Sequence, residues 1–313
     1  MNNLNLSILE TYLKKLVAEI MIYSGFTSNI GLMYGKTGIC IFLFHVARHT
    51  KDKVVEEYAE HILDDIFAKI TPSYLYNFSS GLCGIAWGIH YLLDNGFVDA
   101  DEGIDEIMEE IDGHLWDESQ FVEKDKNIMH MGWYIMARMT TTKNQDLWMN
   151  RIEIWIKCIY KLFDKKEQYP SDELIPILYC YLYSLRYSKD EIFPRKVSSI
   201  INYLEEQNKL NRQIILELLT DVTRLNCFDY LSKTVAINEE YTLQDINSYF
   251  LIHLLKNNNV KNFYTPYYAA LHTIVSDEQR MTDIFLRINP QNIGLKGYTG
   301  SLSWSILCCL TSS

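Results

Sequence analysis

Two glycine-rich segments near opposite ends of the chain repeat each other almost residue for residue. Residues 29–38 read Asn-Ile-Gly-Leu-Met-Tyr-Gly-Lys-Thr-Gly, and residues 292–300 read Asn-Ile-Gly-Leu-Lys-Gly-Tyr-Thr-Gly. A third copy, Ser-Gly-Leu-Cys-Gly-Ile, occupies residues 80–85, and its Gly81 lies 46 positions after Gly35. The outer copies are 262 residues apart, which corresponds to six intervals of about 44 residues, a length typical of two-helix repeats. The spacing therefore predicts seven helical hairpins.

Hydrophobic periodicity predicts two kinds of helix around each glycine loop. In residues 52–70, apolar side chains recur every three or four positions with charged ones between them, the pattern of an amphipathic surface helix. The segments after the glycine loops, residues 39–47 and 85–93, are apolar nearly all round and are expected to be buried on most sides. Stacked hairpins of this kind form an outer and an inner layer. Because the terminal units are the most typical ones, we expect the layers to close into a ring.

The sequence therefore predicts an all-α protein, an α/α toroid of about seven hairpins that occupies residues 1–313 as a single domain. All six prolines fall between the predicted helices or in a first turn, where a missing N–H does no harm. The outer and inner helices pair as 4–22 with 38–49, 52–70 with 84–94, 101–116 with 128–141, 145–164 with 172–187, 190–207 with 211–222, 224–234 with 243–256, and 267–287 with 299–311.

Composition narrows the class of protein. A chain of 313 residues with 48% hydrophobic content can bury a large core. Its net charge of −11 comes without a Lys/Arg cluster, which argues against nucleic acid or an anionic membrane surface as a partner. No apolar run approaches the roughly 20 residues of a membrane span, and residues 1–10 do not read as a secretory signal, so we expect a cytoplasmic protein. Seven scattered cysteines indicate reduced, packed thiols.

The glycine pairs that open the inner helices resemble those of the lanthionine synthetase C-like (LanC-like) family. Residues 31–39, 78–88 and 294–300 carry the resemblance, with Met131-Gly132-Trp133 as a weaker loop. The resemblance implies a toroid of seven hairpins whose glycine loops gather around a central cavity. It also implies cyclisation of a ribosomally made peptide by a zinc ion, which activates a substrate thiol. In the family, a Trp-Cys-x-Gly loop and a Cys-His-Gly loop hold that ion.

Neither of those metal-binding loops is present in this chain. Cys227 has no tryptophan before it and no glycine after it, and the adjacent Cys308 and Cys309 point about 100° apart on a helix. We therefore expect no cofactor. A ring could bring His90 and His130 toward one cavity, so zinc stays open as an alternative.

Side chains in or just after the glycine loops are the candidates for lining the cavity. Aromatic rings with a few polar groups are typical of peptide or small-molecule sites. The loop residues among them are expected to be exposed, whereas Trp87 and Trp304 also fit a place in the hydrophobic core. No catalytic residue is assigned. The predicted ligand-binding residues are Tyr34, Lys36, Trp87, His130 and Tyr298, with Trp133 and Trp304 in similar positions.

The leading functional hypothesis is a zinc-independent peptide-binding or accessory factor in ribosomal peptide modification. A thioether cyclase with an unconventional site is the first alternative. An α/α-barrel glycoside hydrolase is the second, although the acidic residues concentrate on outer helix faces rather than facing each other as a catalytic pair. Residues 35–37 are not a phosphate-binding loop because the preceding strand and upstream glycine are missing. The glycines are therefore expected to allow close backbone approach.

Overall fold

The computed structural model describes residues 6–71, 76–99, 103–116, 128–164, 278–289 and 293–295, together with separate helical positions at 174, 199–200, 202–203, 206, 300, 302–303, 306–307 and 310. Throughout these residues the regular secondary structure is helical, as predicted. The chain divides into two compact units, Met1–Asp101 with Tyr241–Ser313 and Glu102–Glu240. None of the helices in the described ranges combines the length and apolar character that crossing a membrane requires.

The described part of the first unit includes five helices with defined bounds. They are α1 (Leu6–Ser24), α2 (Lys36–Thr50), α3 (Lys53–Lys69), α4 (Leu82–Asp94) and α8 (Glu278–Leu286). The second unit contains α5 (Ile104–Leu115), α6 (Gly132–Thr141) and α7 (Gln145–Phe163), and a short 3₁₀ turn at Ile128–Met131 leads into α6. These bounds confirm the predicted helices of residues 4–164 to within three residues wherever they are described, apart from that turn. The pairs predicted between 172 and 256 lie almost entirely outside the described residues.

The two predicted kinds of helix are both present. On α2 and α4, nearly every residue of the first three turns is buried, as expected for helices that are apolar all round. On α3, by contrast, only the apolar stripe that includes Val55, Ala59 and Ile66 is buried. The helix begins at Asp52, whose side chain accepts a hydrogen bond of 2.9 Å from the backbone N–H of Val54. This N-cap satisfies one of the free donors of the first turn.

A cluster at the C-terminal ends of α2 and α4 holds these inner helices together. The imidazole Nε2 of His45 lies 2.8 Å from the Tyr91 hydroxyl, and its ring meets that of Phe97 edge-on at 4.6 Å. The Arg48 guanidinium lies 3.5 Å from the centre of the Phe97 ring and donates to the carbonyls of residues 95 and 96. Burial, and then the charge of Arg48, lowers the pKa of His45 to about 3. The cluster therefore holds a neutral histidine.

This histidine makes the stability of the protein sensitive to acid. In the unfolded chain His45 takes up a proton below pH 6.5 or so, whereas in the fold it stays neutral down to about pH 3. Stability is therefore complete above the unfolded pKa and falls as the pH drops through this window. When the pH falls from 7 to 5, the unfolding free energy of the wild type should decrease by about 1–2 kcal/mol more than that of His45→Gln. Urea titration at the two pH values measures both decreases. His49→Gln, at an exposed position on the same helix, should leave that loss unchanged.

The second unit is organised by a buried arginine. Arg138 of α6 is 2% exposed and forms ion pairs with Asp105 at 2.7 Å and Asp112 at 2.8 Å, both on α5. Tyr134, one turn earlier on α6, donates a hydrogen bond of 2.5 Å to Asp112. The Trp148 indole of α7 meets the Tyr134 ring edge-on at 5.9 Å. One polar network thus connects α5 with α6, and aromatic packing adds α7.

Candidate functional site

Three glycine loops lie side by side in the first unit, in the order last, first, second. We call their common surface the glycine-loop face, and define it as residues 25–35, 76–81 and 293–295. The first and second loops lead directly into the inner helices α2 and α4. The backbone N–H of Met33 in the first loop donates 2.8 Å to the carbonyl of Ser79 in the second, so the two loops are joined directly.

The second glycine of each pair brings its helix against the loop that precedes it. A methyl group on Gly38, Gly84 or Gly300 would overlap a carbonyl oxygen six positions upstream, on Leu32, Phe78 and Gly294 respectively. Any other residue would therefore force the helix and loop apart. The three segments that repeat in the sequence are thus equivalent in structure as well, which explains the glycines by close packing, as predicted.

The leading glycine of each loop packs against the following loop. A methyl group on Gly31 would overlap the backbone of Ser80, the residue before the second glycine pair. In the same way, a methyl group on Gly294 would lie 2.6 Å from the Cα of Tyr34, the residue before the first pair. The last loop therefore precedes the first loop in space just as the first loop precedes the second.

The leucines that follow these leading glycines repeat the relation. Leu295 of the last loop approaches within 2.7 Å of a methyl group placed on Gly38, and Leu32 of the first loop within 3.0 Å of one placed on Gly84. Two independent contacts thus relate the last loop to the first and the first to the second. A single geometric operation connects all three.

Asparagine side chains fix the shape of the first two loops. The Asn29 carboxamide oxygen accepts from the backbone N–H of Gly31 at 2.8 Å, and that of Asn77 accepts from the N–H of Ser80 at 2.7 Å. Such bonds from Asn to the backbone two or three residues later are typical of tight turns. The helices themselves begin at glycines, so no side chain caps α2 or α4. The backbone N–H groups of Lys36 and Thr37, in the first turn of α2, donate instead to the loop carbonyls of residues 29 and 30.

Tyr34 is the predicted ligand-binding residue that this face presents most openly. It occupies the tip of the first loop and 42% of its surface is exposed, which confirms the expected exposure. Gly294 packs against the backbone of Tyr34. The position of the Tyr34 ring therefore depends on the contact between the last and first loops.

The expected exposure of Lys36 is wrong. Lys36 is only 8% exposed, and its amine lies 2.5 Å from Asp65 on α3. Asp65 also pairs with Lys69 at 2.7 Å. The bond to Lys36, and then that to Lys69, lowers the pKa of Asp65. Because Lys36 is the first residue of α2, its long side chain reaches the neighbouring helix, and it joins inner and outer layers.

The other candidates are divided between the core and the second unit. Trp87 is 4% exposed and stacks on Tyr91 at 5.2 Å, so it occupies the core as its alternative interpretation predicted. His130 lies in the second unit, in the 3₁₀ turn before α6, where burial lowers its pKa to about 4. Trp133, the next candidate along, is 5% exposed. Tyr298 and Trp304 lie outside the described residues.

Exposed apolar side chains beside the glycine loops were not among the sequence-based candidates. Ile22 and Phe26 are 59% and 73% exposed where α1 enters the first loop, and Phe67 is 43% exposed near the end of α3. Leu286, the last residue of α8, is 80% exposed. These residues could have been found from the sequence as apolar residues that lie outside the buried stripe, at the end of an outer helix. These residues give the loop end of the first unit an apolar rim.

Two of the described cysteines, Cys40 and Cys83, are unsuited to metal binding. Burial raises the pKa of both Cys40 and Cys83 far above the usual range, so both stay protonated, and the Cys40 thiol lies 3.3 Å from the carbonyl of Ala59. Across the ranges that the structure describes, no three His, Cys, Asp or Glu side chains form a group that could hold a metal ion. Cys227, Cys308 and Cys309 lie outside those ranges. The described residues thus do not fit the zinc that the sequence resemblance implies.

Comparison with known proteins bears on the glycine loops directly. Residues 27–115 match the model of the family described as lanthionine synthetase C-like protein. These residues are similar to that family, and we call them the LanC-like segment. The match confirms the resemblance inferred from the glycine pairs of residues 31–39 and 78–88. Searches of curated proteins and of solved structures found no match.

The LanC-like segment covers two of the three glycine loops described above. It runs from the first loop through α2, α3, the second loop and α4 to the end of α5. The last loop lies beyond the segment, yet it makes the same contacts with the first loop as the first makes with the second. The repeating geometry therefore extends past the residues that the LanC-like model matches.

Proposed function

We propose that this chain is a LanC-like protein that binds a ribosomally made peptide and assists its modification without zinc. The observation that carries the proposal is the ordered contact of three glycine loops, which presents the exposed Tyr34 at the tip of the first loop. The LanC-like match supports a peptide as the class of ligand.

The proposal includes a closed ring of seven hairpins as the scaffold. The repeat spacing in the sequence supports the count, and the relation of the last loop to the first supports closure. An open solenoid would leave its first loop without a neighbour on one side, whereas here the last loop occupies that place. In such a ring, each glycine loop would contribute to one face around the centre.

The chemistry of the glycine-loop face suits a peptide. The exposed Tyr34 offers a large contact area together with a hydroxyl that hydrogen-bonds to peptide groups. The rim of apolar side chains that includes Phe26 and Phe67 would accommodate apolar residues of the ligand. An extended peptide carries both kinds of group in alternation.

Zinc takes no part in the proposed mechanism because the cysteines and histidines at hand do not fit it. In LanC-like cyclases the ion would serve to activate a thiol, and a protonated buried thiol such as Cys40 cannot act as its ligand. The residues of this chain act instead by binding and orienting the peptide. In the described part of the chain, nothing favours the hydrolase alternative.

Metal analysis and peptide binding test this proposal together. After purification with added zinc, we expect less than about 0.1 zinc per chain by elemental analysis, well short of the one ion of a catalytic site. Fluorescent synthetic peptides that carry Ser, Thr and Cys should bind, and Tyr34→Ala should weaken binding about tenfold, measured by anisotropy. Leu147→Ala, at a residue of similar exposure in the second unit, should bind as the wild type does.

Three outcomes would contradict the proposal. Stoichiometric zinc that is lost on substitution of Cys227 or His130 would restore a metal site and the cyclase alternative. Consumption of a free thiol in a dehydrated test peptide, followed by thiol titration, would show cyclisation directly. Equal binding of the peptide by wild type and Tyr34→Ala would instead show that the glycine-loop face is not the binding site.

A further inference from the structure

Besides Arg138, the second unit contains another buried arginine, Arg151. Arg151 of α7 is 8% exposed, and none of the described carboxylates forms an ion pair with it. Its Nε is buried without a hydrogen-bond partner. The guanidinium lies between two indoles, 4.8 Å from the Trp116 ring centre and 4.2 Å from that of Trp148. Aromatic faces attract a cation but accept no ordinary hydrogen bond in its plane.

The carboxylates of the described network bind other donors. Asp112 accepts from Tyr134 through one oxygen and from Arg138 through the other. Asp105 accepts from Arg138 through one oxygen and from the backbone N–H of Lys143 through the other. Each oxygen of the two acids thus accepts from a group other than Arg151.

Arg138 adds a second unsatisfied donor to the same cluster. Its Nη1 is buried and has no hydrogen-bond partner, although its other nitrogens bind the two acids. Its guanidinium lies 5.2 Å from the centre of the Trp148 ring, the ring that Arg151 also contacts. Buried guanidinium groups in proteins are normally paired, because an unpaired one loses its hydration without replacement. Two arginines with unpaired donors around one indole therefore offer hydrogen bonds to an anion.

We propose that Arg151 is the centre of an oxyanion-binding site in the second unit, and that its ligand is a carboxylate or a phosphate group. The planar guanidinium presents paired N–H donors that match two oxygens of either group. Trp116 and Trp148 hold its plane in place, whereas the charge of Arg138 is already balanced by Asp105 and Asp112. A carboxylate would come from a peptide, and a phosphate from a small phosphorylated ligand. This site is separate from the glycine-loop face and does not depend on the function proposed for it.

Titration calorimetry on the full chain tests the Arg151 site. Sodium phosphate and sodium acetate are titrated separately at pH 7, with sodium chloride keeping the ionic strength constant. We expect saturable binding of at least one of the two anions to the wild type, weakened at least tenfold in Arg151→Met. Lys143→Met, which removes an exposed lysine of the same unit, should bind as the wild type does. Stronger binding of phosphate identifies a phosphorylated ligand, and stronger binding of acetate a peptide carboxylate.

Three results would overturn the inference. The first is absence of saturable binding to folded wild type, and the second is equal binding to wild type and Arg151→Met, which means an adventitious ion only. The third is anion binding that appears only in an Asp117→Asn/Glu118→Gln variant, because a carboxylate of the chain itself is then the partner. If Arg151→Met fails to fold, Arg151→Lys keeps the charge without the planar fork and should still weaken binding.

Discussion

Gly84→Ala is expected to destabilise the protein by about 3 kcal/mol or more, among the largest effects of any single methyl group. The added Cβ would overlap the Phe78 carbonyl and would lie 3.0 Å from the Cβ of Leu32. Both neighbours belong to the packed glycine loops, so neither moves without opening the contact between the first and second loops. Urea unfolding followed by circular dichroism measures the change.

Gly113→Ala is the matched control for this substitution. Gly113 lies within α5, and a methyl group there would meet nothing within 4 Å. Alanine in an open helical position should stabilise by about 0.5–1 kcal/mol, because it restricts the unfolded chain. Equal effects of the two substitutions would show that close packing at Gly84 does not determine stability.

Asp112→Ala is expected to cost about 3 kcal/mol through a different mechanism. The substitution removes one of two carboxylates from Arg138, which is almost fully buried, and leaves the buried Tyr134 hydroxyl without its acceptor. Truncating one partner of a buried ion pair leaves an uncompensated charge, which is the costly part. Unfolding free energies of the variant and the wild type, from urea titration at pH 7, give the difference.

Glu106→Ala serves as the control on the same helix. Glu106 pairs with Lys143 at 3.7 Å, but both side chains are more than half exposed, so the pair contributes less than about 0.5 kcal/mol. A loss below about 1 kcal/mol for Asp112→Ala would mean that water replaces the carboxylate at Arg138. The network would then no longer account for the packing of α5 on α6.

The glycine spacing predicted the architecture because it reflects a backbone constraint. A carbonyl six positions before Gly38 and Gly84 leaves no room for a side chain at either residue. Both positions therefore require glycine, and the contact can be predicted from the sequence. The apolar periodicity of α3 likewise predicts which face of this helix is buried. Such features follow from local geometry that any repeat of this kind must satisfy.

Side-chain direction was harder to predict than backbone position. Lys36 and Tyr34 are two residues apart in one loop, and the sequence favoured exposure for both. The helix begins between them, and this turns Lys36 toward Asp65 while Tyr34 remains at the surface. Asp112 likewise reads as one of several acidic residues on an outer helix, because its partner Arg138 is 26 positions away on another helix. Pairings of this range have no periodic signal.

Gly294 packs against Tyr34 as Gly31 packs against Ser80, and this contact is directional. Each loop offers one surface to the loop before it and a different one to the loop after it. Surfaces joined in this head-to-tail manner either close on themselves or continue indefinitely from molecule to molecule. In this chain the last loop packs against the first, so the docking surface between these two loops is occupied. A chain deprived of its first loop would carry an unoccupied docking surface on its last one, and the first loop of a neighbouring molecule would fit it. Keeping both loops on one polypeptide thus protects the protein against forming chains of linked copies.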